Sequence, residues 1–290
     1  MAQDPEMQVT AAQLVARARE LATLPDIYFR VKEVLDDSTS SHEDVAEALG
    51  TDPVLAGRLL RLANSAFYGR PGSIATVSRA VGLLGTQQVH DLVLATAVVH
   101  AFEDFSSGMI DRRQFWRSSL FSGSAAKLLA EHCDILDCER LFVGGLLAPV
   151  GLLILCQEVP VQIRAILRDA RERDQDMAAL QREQLGFDYA QVSAELFSSW
   201  QLPAELVMPI RAHTQPSTAE EGRLEAAIIH IAVQTANAHS QGQSTRELVP
   251  CLDDDAWRIT ALSFESLDKI RQDAQALTEE IVPVLLSAAA

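Results

Sequence analysis

The sequence predicts an all-α fold, with a helical N-terminal half, a second helical half and a C-terminal helical segment. Apolar residues recur at spacings of three and four along most of the 290 residues, the period of an amphipathic helix. Capping residues and closing glycines punctuate those periods. No run of alternating β-branched residues bounded by turn signals offers a strand.

In chain order, residues 6–22 read as a first helix, followed by a turn at Leu24-Pro25 and a second helix over 26–35. A polar connector over 36–41 ends in Ser41, which suits the cap of a helix over 43–49 closed by Gly50. The stretch 51–69 is the centre of the half. Asp52 caps it and Pro53 sits in the first turn, where a missing N–H costs nothing. Leu55, Leu59, Leu62 and Ala66 form one stripe, while Arg58, Arg61, Asn64 and Ser65 fall largely opposite, and Gly69 is the expected stop. A turn over 70–73 leads to a short helix over 77–84 ended by Gly85. Thr86 then caps a helix over 87–102 that is apolar on most sides and so should be deeply buried.

After a break at 105–111 the helices lengthen, near 112–133, 137–159, 161–173, 177–185, 189–200 and 204–213. Residues 215–222, with Pro216-Ser217-Thr218, are the only linker-like stretch. Helices near 223–240, 253–259 and 264–286 follow it. The expected division is therefore 1–110, 111–215 and 216–290.

Composition excludes several classes. Hydrophobic residues make up 48%, too many for a disordered chain, and the longest apolar runs fall short of a membrane span. The N-terminus lacks a basic patch followed by an apolar core, and four scattered cysteines do not form a disulfide framework. A cytoplasmic protein is expected. The net charge of −16, without a dense basic cluster, disfavours direct contact with nucleic acid or an anionic membrane.

The run D-P-V-L-A-G-R-L-L-R-L-A-N-S-A-F-Y-G, followed by S-I-A-T-V-S-R-A-V-G-L-L-G, resembles the N-terminal half of the HDOD domain family. The resemblance extends from about Leu24 to His213. It implies a bacterial signalling protein related to the metal-dependent HD phosphohydrolases, with a degenerate HD-like helical half. Relatives of the hydrolase type carry His-Asp where this chain has Ala148-Pro149, and neither of these side chains can ligate a metal. Two residues past Trp116, Ser118 stands at an expected histidine. Tyr189 stands at another, and Thr214 follows His213 where a second histidine is common. His213 alone cannot hold a metal pair, so no metal or cofactor is expected. Pro149 should also kink or break its helix.

The other candidates are weaker. His90-Asp91 precedes the family's position for that pair and reads as an exposed polar patch near a helix start. Cys133 and Cys138, with His132, lack a second ligand pair for zinc and read as partly buried thiols. Arg58, Arg61, Asn64 and Tyr68 form either a docking face or a set of internal bonds to the next helix or the Gly72 loop. The cleft near Ala148 and Tyr189 is either open to a small ligand or filled by side chains. The resemblance implies a non-catalytic regulatory module that contacts another signalling protein, with homodimerisation left open. A small-molecule sensor, for instance of a cyclic dinucleotide, is the alternative, and a residual metal-dependent phosphohydrolase the third reading.

Overall fold

The computed structural model describes residues 9–18, 23–37, 39–65, 74–102, 105, 108–173 and 175–286. They form α-helices and short 3-10 turns, with no strand among them. The N-terminal half holds α1 (Ala11–Ala18), α2 (Asp26–Asp36), α3 (His42–Gly50), α4 (Pro53–Ala63), α5 (Val77–Leu84) and α6 (Thr86–Ala101). Then come α7 (Arg112–His132), α8 (Cys138–Leu147), α9 (Val150–Glu158), α10 (Pro160–Arg173), α11 (Met177–Leu185), α12 (Tyr189–Ser199) and α13 (Ala204–Ala212). The C-terminal segment holds α14 (Arg223–Ser240), α15 (Thr245–Leu248), α16 (Asp254–Ile259) and α17 (Phe264–Leu285).

Local side-chain chemistry sets several boundaries. Ser41 and Asp44 close a reciprocal capping box on α3, and Asp52 accepts from the N–H groups of Val54 and Leu55 to start α4. The first helix begins at Ala11, later than the expected residue 6. Thr10 accepts from the Gln13 N–H while its own N–H donates to the Gln13 side chain, which fixes the start there. Gly69 does not end α4. The helix stops at Ala63 because the Asn64 amide donates to the carbonyls of Leu60 and Ile74, at 2.9 and 2.7 Å, and accepts from the Ile74 N–H. Gly69 itself lies outside the described residues. The four-residue α15, opened by a capping box between Ser244 and Glu247, had no strong apolar period to announce it.

One apolar cluster joins residues from Leu14 to Leu285. α7 is the axis of the second half, flanked by α8, α14 and α17. α6 is buried continuously from Val89 to Val99, as its all-round apolar surface predicted. Residues Cys138–Glu158 are apolar and long enough to cross a bilayer by composition, but most of this stretch is buried inside the fold.

Candidate functional site

The expected helix over 137–159 is broken into α8 and α9 at Ala148-Pro149. Proline has no N–H and its ring collides with the preceding turn, so the ladder cannot continue through it. The break strands two backbone groups, and a single hydroxyl satisfies both. The Gly151 N–H donates to Ser193 Oγ at 2.7 Å, and the Ser193 hydroxyl donates to the Ala148 carbonyl at 2.7 Å. Ser193 is fully buried on α12. Gly151 makes this approach possible, since a Cβ there would lie 2.1 Å from the Tyr189 carbonyl oxygen. Removing the hydroxyl in Ser193→Ala should leave both backbone groups unpaired and cost about 2 kcal/mol. A lower urea midpoint at unchanged slope is the expected readout, and an unshifted midpoint would refute the splice.

The adjoining cleft is closed by a chain of hydrogen bonds. His213 Nδ1 lies 2.6 Å from the Ile210 carbonyl, which can only accept, so Nδ1 carries the proton. Its Nε2 is then a lone pair and accepts from the Tyr189 hydroxyl at 3.1 Å. His230 repeats the pattern. Its Nδ1–H donates to the His213 carbonyl at 2.9 Å and its Nε2 accepts from the Asp253 N–H at 3.1 Å. Both rings are therefore neutral and fully satisfied. Burial pushes the His213 imidazole down to about 4, against the pull of the Ile210 carbonyl. His230 is lowered by the same cause, and burial drives the Tyr189 phenol far above its ordinary range. Thr214 belongs to a neighbouring lock in which its hydroxyl donates to Asp188 at 2.7 Å, while Arg182 pairs with Asp188 and donates to Thr214.

The structure thus gathers Ala148, Pro149, Tyr189, His213 and Thr214 around α12, filled by side chains rather than open. Ser118 is not part of that cluster. It lines a separate cavity with Gln114, Arg117 and His239. The set does not fit a metal pair, because the one imidazole at the family positions has its lone pair taken by Tyr189. Among the described residues, no three His, Cys, Asp or Glu side chains are placed to hold an ion.

The N-terminal candidates separate as well. Asn64 is spent on the internal bonds already described. Arg58 is a correction: it is 5% exposed, because the helices packed on α4 cover the face that periodicity left polar. Arg61 is exposed and, with Leu60, Asn64, Ser65, Glu280 and Val284, borders a shallow groove between α4 and α17. Tyr68 lies outside the described residues. The His90-Asp91 pair is not an exposed patch but is buried in α6. Tyr28 Oη lies 3.2 Å from His90 Nε2, Gln87 donates to Asp91 at 3.1 Å, and burial raises the Asp91 carboxyl. Cys133 is half-buried and Cys138 buried, each directed at a backbone carbonyl. Sequence reasoning missed Ser193 and His230. The only signal was a polar residue recurring on an otherwise apolar helical face.

The HDOD domain model matches residues 21–216, more than half of the chain. The chain belongs to the HDOD domain family. The HDOD chain is 27% identical to a solved structure from Shewanella amazonensis SB2B named "Putative phosphohydrolase", covering 96% of this chain and 99% of that one at a TM-score of 0.74. A solved HDOD domain protein from Geobacter sulfurreducens, 24% identical, shares the fold over 94% of this chain and 99% of that one, at a TM-score of 0.68. A curated relative from Treponema pallidum (strain Nichols) is 25% identical over 219 residues, which is 73% of this chain and 41% of the relative. The HDOD chain thus spans well under half the length of that relative.

Proposed function

We propose that this HDOD domain is a non-catalytic regulatory module that acts by contact with another signalling protein in the cytoplasm. One observation supports it above the rest: His213, the imidazole remaining at the hydrolase positions, spends its Nε2 lone pair on the buried Tyr189 hydroxyl. Ala148 and Pro149 offer no side-chain donor in the place of His-Asp, and Pro149 bends the backbone that would present one. Four cysteines without a disulfide between them agree with a reducing compartment. Exposed Arg61, beside the groove between α4 and α17, is the end of the signature helix available to a partner.

The competing reading is phosphohydrolysis, the activity in the name of the Shewanella amazonensis structure. Metal analysis after dialysis, with turnover measured on cyclic dinucleotides and a generic phosphodiester in added manganese, separates the two. The expected result is substoichiometric metal and no turnover above buffer. Stoichiometric iron, manganese or zinc, with turnover that follows it, would overturn the proposal.

A further inference from the structure

A cavity of about 160 Å³ lies between α7, α14 and α17, lined in part by Gln114, Arg117, Ser118, Phe121, His239 and Thr278. Its aromatic wall is preformed. The His239 ring stacks on Phe121 with centroids 4.4 Å apart and planes 18° from parallel. No hydrogen bond among the described residues uses either His239 nitrogen or the Ser118 hydroxyl. Arg117, also on the lining, pairs with Glu279, and both side chains are about half exposed. A pair that wet contributes little and opens readily. Arg117 and Arg271 both act on the His239 imidazole through space, with Glu279 opposing them. Burial first, and then these two cations, hold His239 below its ordinary value. Glu279 also lines the cavity, so the wall offers one exchangeable guanidinium beside the unused donors of His239 and Ser118.

We propose that the cavity binds a small organic or inorganic anion by its carboxylate or phosphoryl head, held by Arg117 and His239. Its volume is roughly that of five waters and below the range of about 300 Å³ upward where drug-sized ligands bind. A cyclic dinucleotide is therefore too large for it. The guanidinium fork of Arg117 matches either head group, and the neutral His239 ring supplies an N–H as a second donor. The cavity is distinct from the filled cluster around Tyr189, so this inference stands apart from the question of catalysis. It would make the regulator responsive to a metabolite bound among three helices.

The test follows the His239 ring resonances of the full chain by NMR at pH 6, during titration with inorganic phosphate and, separately, with malonate. A saturable shift with phosphate alone, malonate alone or both is the expected result, and it identifies the head group. Arg117→Gln should weaken that binding by about tenfold or more, since a charge-assisted contact is lost. Arg164→Gln, an exposed change on α10, should leave it unaltered. A bound anion favours the imidazolium that burial and the arginines disfavour, so binding should strengthen as pH falls from 8 to 6, and His239→Gln should abolish that pH dependence. If neither anion moves His239 at tens of millimolar, the proposal is wrong. It is equally wrong if Arg117→Gln and Arg164→Gln behave alike.

Discussion

Gly151→Ala should be among the most damaging single substitutions in this protein. The new methyl would meet the Tyr189 carbonyl oxygen at 2.1 Å and the Ser193 nitrogen at 2.6 Å, both backbone atoms that no rotamer change can move. α9 would have to part from α12, pulling the Ser193 hydroxyl away from the two groups it serves. Overpacking of a core this tight costs about 3 kcal/mol or more. For a chain of this size that corresponds to a fall in melting temperature of about 6–12 °C. Gly57→Ala is the matched control. Among the described residues its Cβ would meet nothing within 4 Å on α4, so it should stabilise by about 0.5–1 kcal/mol. Equal melting temperatures for the two variants would refute the close approach of α9 and α12.

Acid should weaken the fold well before its carboxylates titrate. His213 is held neutral down to about 4, whereas the unfolded chain returns it to about 6.5. Between those values the unfolded state binds more protons, so stability is fully present above about pH 6.5 and is lost as pH falls toward 4. The loss from this one group is on the order of 3 kcal/mol, and His230 adds in the same direction. Asp91 works the other way, because its raised carboxyl favours the folded state as pH falls. Denaturant unfolding between pH 7.5 and 4.5 checks the balance. His213→Gln removes the titrating ring and should flatten the slope by about 1.4 kcal/mol per pH unit at its steepest. A parent profile that is flat from pH 6.5 to 4.5 would contradict the buried, neutral His213–His230 pair.

The helices were legible because their ends announce themselves. α5, α11 and α14 match the expected spans residue for residue, each read from a period and its punctuation. The break at Pro149 was legible too, since it follows from a missing N–H. What could not be read is which polar face another layer covers. A period says that Arg58, His90 and Asp91 lie off the apolar stripe, but not that the surrounding helices enclose them. The family pattern placed Ser118 with Ala148 and Tyr189 by position along the chain, and three-dimensional packing instead sets it in a different cavity. The bonds that fill the cleft join residues 17 to 45 positions apart, beyond the reach of any local period.

The packing of α7 bears on how much of this chain must fold together. The family match ends at residue 216, yet the helices that cover α7 on two sides, α14 and α17, lie beyond it. His230 closes on the His213 carbonyl across that boundary, and Thr278 reaches Ser124 from the far end of the chain. The edge of the family match is therefore not an edge of the folding unit. A polypeptide ending at 216 would keep the signature helix while exposing Phe121 and its neighbours to water, and so would present an adhesive surface that the whole chain conceals.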